Sequence, residues 1–244
     1  MQLSKLAFLL LLPAQQVFAQ SRNTASSFID SSRMQAIRYY HAATGNNARV
    51  YKGLLRQNYP QQTEGRPYFD TTVYVPADVV FHELQYEHIP VLYDMFTQTL
   101  ITLTPANFGV QLLPDKTAAF DIGHHHFIRI DSANTILPQA PPGFYEVLIS
   151  NRHLAAYAFR KVIIEEKITD VVEQKFVRAD KYFLVRNNHA EAFYTWRGLY
   201  KSLGLSRRSV RRQLDAEGIN PKTDPDAAIR TLLHFYSALN PARP

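Results

Sequence analysis

The histidine run His124-His125-His126 is the part of the sequence whose residue types and spacing come closest to metal chemistry. In a β-strand, residues two apart point to the same face, so His124 and His126 would lie together. Two imidazoles placed in this way can supply two ligands to a zinc or copper ion. A metal-dependent hydrolase built around them is therefore one alternative function. The spacing does not choose a third ligand among His82, His88, His153, Asp121 and Asp131.

A cluster of arginines near the C-terminus is the second group that could take part in recognition. Ser206 predicts a helix start and Gly218 a helix end, while Val210 and Leu214 lie one turn apart on the side to be buried. The opposite flank then carries four arginines, which we call the arginine face: Arg207, Arg208, Arg211 and Arg212. Such a surface favours an acidic partner, either an envelope protein or an anionic lipid surface.

A helix, a turn at Gly204 and a second, arginine-rich helix are also typical of a helix-turn-helix. Residues 199–214 therefore suggest a nucleic-acid binder as a further alternative. The N-terminus argues against that partner, because Lys5, the apolar run 6–12 and Ala19 predict a secretory signal peptide over residues 1–19. We expect a flexible leader over residues 20–46 and export to the periplasm or cell envelope.

Other catalytic motifs are missing from the sequence. His82 and His88 are too far apart to form the paired ligands of a zincin helix, and there is no G-x-S-x-G elbow, P-loop or Rossmann glycine run. The absence of cysteine excludes disulfides and thiolate chemistry. No carboxylate pair is placed for acid–base work. We therefore expect a non-enzymatic protein without a cofactor.

Composition and charge indicate a folded chain with a basic C-terminal part. The 244 residues are 46% hydrophobic and 12% aromatic, and aromatic residues favour strands. Residues 1–150 hold 10 Lys and Arg against 11 Asp and Glu, whereas residues 151–244 hold 17 against 10. No apolar run approaches the roughly 20 residues of a membrane-spanning helix, so no transmembrane segment is expected.

Short apolar runs separated by turn residues predict an antiparallel sheet or partly closed barrel over residues 47–196. After Trp196 the period becomes helical, which predicts helices near 198–204, 207–217 and 225–239 in a segment 197–244 that docks on the sheet through Leu232 and Tyr236. The expected fold class is α+β. The predicted strands are 49–51, 71–75, 78–84, 85–89, 100–103, 110–113, 118–122, 125–130, 144–149, 154–164, 175–177, 181–186 and 191–196.

Several stretches together carry a family resemblance. They are residues 88–94 (HIPVLYD), Gly123-His124 with Phe127 and Arg129, residues 143–148 (GFYEVL) and residues 176–185 (FVRADKYFLV), followed by a basic helix and a final helix begun by Asp224-Pro225. The chain thereby resembles a family of exported, functionally uncharacterised β-rich proteins of Bacteroidota-type bacteria. The resemblance implies a periplasmic or envelope-associated domain and assigns no catalytic residues. Asn151-Arg152 stands where the family tends to have Asp-Gly in a hairpin turn.

The sequence thus leads to one expected function and two alternatives. We expect a non-enzymatic envelope protein that acts as a binding or accessory module through exposed aromatic residues or the arginine face. The alternatives are the histidine-based hydrolase and the nucleic-acid binder.

Overall fold

The computed structural model describes residues 49–240, except positions 57, 61–62, 134–136, 138–139, 152–153, 169–171 and 188. The predicted signal peptide over residues 1–19 and the predicted leader over residues 20–46 lie outside the described residues, as does His153. No helix in the described part combines the length and hydropathy needed to cross a bilayer.

The described part of the chain forms strands first and helices last. Short 3-10 turns lie at Arg49–Tyr51 and Pro114–Lys116. The helices are α1 (Trp196–Ser202), α2 (Arg207–Ala216) and α3 (Pro225–Leu239). The strands are β1 (Leu54–Leu55), β2 (Val75–Phe81), β3 (Leu84–Asp94), β4 (Thr99–Leu103), β5 (Gly109–Gln111), β6 (Thr117–Ile122), β7 (His125–Ile130), β8 (Gly143–Ser150), β9 (Leu154–Phe159), β10 (Val162–Ile168), β11 (Val172–Arg178), β12 (Lys181–Arg186) and β13 (His189–Phe193).

Eleven strands form one antiparallel sheet in the order β1-β5-β4-β3-β2-β6-β7-β8-β9-β12-β13. The sheet ends at β1 and β13 and does not close on itself. Strands β10 and β11 pair with each other as a separate two-stranded ribbon, and Lys175 on β11 also forms a parallel bridge with Glu64. The α+β prediction, an antiparallel sheet followed by C-terminal helices, is confirmed.

Two predicted strands near the start of the sheet are wrong. Residues 49–51 form a 3-10 turn, closed by the Lys52 amide donating to the Arg49 carbonyl, and residues 71–74 are not in a strand. The predicted break between residues 84 and 85 is also misplaced, because the hairpin loop is His82-Glu83, with φ of 49° and 66°. Tight hairpins need positive φ, and without Gly or Asn there the sequence contains no turn signal.

Two further boundaries differ because side chains interrupt the backbone pattern. The predicted strand 154–164 is divided, since β9 ends at Phe159 and β10 begins at Val162 with a new partner strand. The predicted strand 191–196 ends early, because the Thr195 hydroxyl accepts a hydrogen bond from the Gly198 amide and starts α1 at Trp196.

The C-terminal helices cover one end of the sheet. Their buried residues Leu199, Val210, Leu214, Ile229, Leu232 and Leu233 join strand residues such as Leu148, Ala158 and Leu184 in one apolar cluster, which we call the helix-side core. A second, aromatic-rich cluster contains Tyr93, Phe120, Phe127 and Phe144. On β8, Phe144 belongs to the aromatic cluster and Leu148 to the helix-side core. Glu146 lies between them, at the junction of the two cores.

Candidate functional site

The arginine face lies on α2, and the local sequence explains its position. The Ser206 hydroxyl accepts a hydrogen bond from the Ser209 amide at 3.1 Å and caps the helix. Val210 and Leu214 are 1% and 3% exposed and face the helix-side core. All four arginines of the arginine face are exposed, and Arg208 and Arg212 lie on the side of the helix opposite these two apolar residues. The structure therefore brings all four predicted residues together.

The arginine face carries almost uncompensated positive charge. Arg211 Nε lies 3.5 Å from a carboxylate oxygen of Asp215, and both side chains are largely exposed. Among the described residues, Arg207, Arg208 and Arg212 have no carboxylate at salt-bridge distance. The first turn of α2 contains no acidic residue, so Arg207 and Arg208 lie at the positive end of the helix dipole. An anion bound at this face would offset the repulsion among the arginines and their unfavourable interaction with the helix dipole.

The histidine run does not form the predicted pair of ligands. β7 begins at His125, so His124 belongs to the Gly123-His124 turn rather than to a strand. His126 Nδ1 lies 2.6 Å from Asp121 across the β6–β7 pair, with both side chains about half exposed. His125 instead faces the interior, where its ring packs against Phe69. Within the described ranges, no group of three or more metal-ligating side chains is placed to hold an ion.

His125 leads to a buried ion network that the sequence interpretation missed. Its Nδ1 donates to Glu146 Oε1 at 2.5 Å, because an ionised carboxylate can only accept. Arg160 Nε donates to Glu146 Oε2 at 2.6 Å, and a second nitrogen of Arg160 pairs with the same oxygen. Arg230 on α3 also donates to Oε1. The side chains of Glu146 and Arg160 are 0% and 1% exposed.

Arg160 connects this carboxylate to two others. Its Nη1 donates to Asp180 at 2.9 Å and to Asp226 on α3 at 3.0 Å. The Tyr182 hydroxyl on β12 donates to the same Asp226 oxygen at 2.6 Å. The network, which comprises His125, Glu146, Arg160, Asp180, Tyr182, Asp226 and Arg230, therefore ties strands of the sheet to the final helix.

The pKa shifts follow from these contacts. Burial alone would raise the pKa of Glu146, but the hydrogen bond from His125 and the charges of Arg160 and Arg230 lower it to about 2. Burial likewise opposes ionisation of Asp226, yet Arg160 and the Tyr182 hydroxyl hold the Asp226 pKa below its usual value. Burial would lower the pKa of Arg160, but the charges of Glu146, Asp226 and Asp180 raise it well above the ordinary value.

Acid should therefore weaken the fold through Glu146. Its folded-state pKa of about 2 lies below the ordinary value of 4.5. The carboxylate thus contributes stability that is fully present above about pH 4.5 and is lost as the pH falls towards 2. We expect Glu146→Gln to unfold at lower urea at neutral pH and to show a shallower loss of stability over this range. Parallel stability–pH curves for parent and variant would contradict this assignment. If Glu146→Gln does not fold, Asp226→Asn serves instead, because Asp226 is partly exposed. Its stability should also fall less steeply towards acid pH than that of the parent, by a smaller amount.

The geometry of the Glu146 carboxylate suits a structural role. Both Glu146 oxygens accept hydrogen bonds from cationic or imidazole donors, and the carboxylate is ionised and closed to solvent. It therefore has neither the access nor the near-neutral pKa that proton transfer to a substrate requires. Its effect is to position α3, and with it the helix-side core on which α2 packs.

A partial signal for this network is present in the sequence. Glu146 is the one charge in an otherwise apolar run, and Arg160, next to Lys161, lies between two apolar runs; a charge that becomes buried there persists only if it is paired. On β7, His125 and Phe127 share a face by period-2 alternation, which points His125 inward. Sequence spacing does not show that these three residues meet, because they come from separate segments of the chain.

Comparison with known proteins adds no relative to this description. No protein-family model, no curated protein and no solved structure matches the chain.

Proposed function

We propose that this protein is an exported, non-enzymatic binding module of the cell envelope, and that the arginine face holds it against an acidic surface. The observation that carries the proposal is the exposure of four arginines on one short helix, of which only Arg211 has a carboxylate partner among the described residues. Cations clustered in this way repel one another, and an acidic partner offsets that repulsion.

Export is supported by the sequence. The features of residues 1–19 are those of a signal peptide, and the resemblance to exported β-rich proteins of Bacteroidota-type bacteria points to the same compartment. A binding role also agrees with the position of Glu146. The pKa of this carboxylate is strongly lowered, but its side chain is buried and paired with Arg160, out of reach of a substrate.

Neutralising the arginine face should release the protein from the envelope. The variant carries Arg→Gln at positions 207, 208, 211 and 212, which removes four charges and leaves the buried side of α2 unchanged. We expect the variant to unfold at the same temperature as the parent but to associate more weakly with envelope fractions. The difference in association between variant and parent should be larger at low salt, where screening is least. N-terminal sequencing of the parent from these fractions should begin at Gln20.

A matched control separates the local patch from net charge. Lys52, Arg66, Lys181 and Lys222 are exposed at scattered positions, and replacing all four by Gln removes the same total charge. This control should associate with the envelope as the parent does. Retention of the 207/208/211/212 variant at both low and high salt would refute the proposed function, as would Met1 at the N-terminus of the envelope-bound protein.

A further inference from the structure

We infer that the acidic groups bound by the arginine face are the phosphates of an anionic lipid surface, recognised by guanidinium geometry as well as by charge. The inference rests on the proposed function and names its ligand chemistry. All four cations of the face are arginine, although the chain also uses lysine on its surface, as at Lys52 and Lys181. A guanidinium presents a planar fork that can donate two hydrogen bonds to one phosphate, whereas an ammonium acts as a point charge.

The spacing of the arginines suits convergent phosphate contacts. Arg207 with Arg211 and Arg208 with Arg212 are i,i+4 pairs, which lie about 6 Å apart along an α-helix and on the same side of it. Each pair can therefore direct two forks at one phosphate or at two adjacent ones. Because the two pairs are displaced by one residue, they form neighbouring rows on the exposed flank of α2.

The surroundings of the pairs favour an anion that comes from outside the protein. Arg207 and Arg208 occupy the first turn of α2, where a cation opposes the helix dipole. Arg211 has only a long, exposed contact with Asp215, which an incoming phosphate could replace. The buried contacts of Val210 and Leu214 keep the helix in place while the arginines contact the ligand.

A lipid surface fits this arrangement better than a nucleic acid. Phosphates in a membrane are presented in a plane, which arginines on the outer flank of a docked surface helix can reach without entering a groove. The expected export also separates the protein from DNA.

Vesicle binding by a charge-preserving variant tests the inference. The probes are phosphatidylcholine vesicles that contain either phosphatidic acid or a carboxylate lipid, cholesteryl hemisuccinate, at matched surface charge. The variant is Arg207→Lys/Arg208→Lys/Arg211→Lys/Arg212→Lys in the full mature chain, with folding checked by circular dichroism and thermal unfolding. We expect the parent to prefer phosphatidic acid, and the Lys variant to lose about tenfold in affinity for it while binding the carboxylate vesicles almost unchanged.

Each outcome bears on a distinct claim. If the Lys variant binds phosphatidic acid vesicles as tightly as the parent, or the parent binds both vesicle types alike, phosphate recognition is refuted while charge-driven binding stands. If the Arg→Gln variant still binds, the proposed function fails as well. A DNA duplex that binds more tightly than phosphatidic acid vesicles at equal ionic strength would overturn the choice of a lipid surface, as would inorganic phosphate that displaces the vesicles at millimolar levels.

Discussion

Replacing Arg160 by Met is expected to lower the free energy of unfolding by about 3–5 kcal/mol, the usual cost of removing one member of a buried ion pair. The variant would leave Glu146 buried without its principal cation, and Asp180 and Asp226 without the guanidinium that joins them. Met fills a similar apolar volume, so the loss reports the charge network rather than a cavity. Urea denaturation at neutral pH, followed by circular dichroism, measures it.

Arg178→Met is the matched control for this prediction. Arg178 pairs with the same Asp180, but its side chain is 45% exposed. Exposed ion pairs contribute at most about 1 kcal/mol, so the control should stay close to the parent. A double-mutant cycle with Glu146→Gln should show strong coupling. When Glu146 carries no charge, loss of Arg160 no longer leaves a buried carboxylate without its cation, so Arg160→Met should cost less. A loss under 1 kcal/mol for Arg160→Met would contradict the structural role of the network.

The second large effect is expected at the interface between α3 and the sheet. Leu232 is 0% exposed in the helix-side core, so Leu232→Ala should lower the free energy of unfolding by about 2–4 kcal/mol through lost burial and the cavity that remains. Leu239 lies on the same helix but is 57% exposed, and Leu239→Ala should change stability by less than about 0.5 kcal/mol. Equal melting temperatures for Leu232→Ala and the parent would show that α3 does not depend on this contact.

These two predictions describe the same junction from its polar and apolar sides. Asp226 and Arg230 lie one turn apart on α3 and contact Arg160, just after β9, and Glu146 on β8. Leu232 enters the helix-side core. Apolar packing stabilises the docked helix without specifying one register, since hydrophobic contact is not directional. We expect the charged contacts to select that register. In Arg160→Met, amide exchange should therefore increase in α3 and α2 before it increases in β6 and β7.

The helical part of the chain was determined largely by local sequence. Ser206 and Asp224 cap α2 and α3 as predicted, and Pro225 begins α3 at its first position. Gly204 and Gly218 adopt positive φ after the helices that they follow. Caps and stops act within one turn of the chain, so their effect can be predicted without knowledge of the remaining fold. Burial of Val210 and Leu214 then accounts for the exposure of Arg208 and Arg212, which lie on the opposite side of α2.

The strand boundaries and the buried network were decided by tertiary structure. His82-Glu83 turns despite two non-glycine residues at positive φ, because pairing of β2 with β3 and β6 outweighs the local cost. Between β9 and β10 the chain leaves the sheet at Arg160, whose guanidinium meets Glu146, Asp180 and Asp226 from distant segments. A buried charge is stable only where its partners converge, and that convergence depends on how the strands and α3 assemble in space rather than on neighbours in sequence.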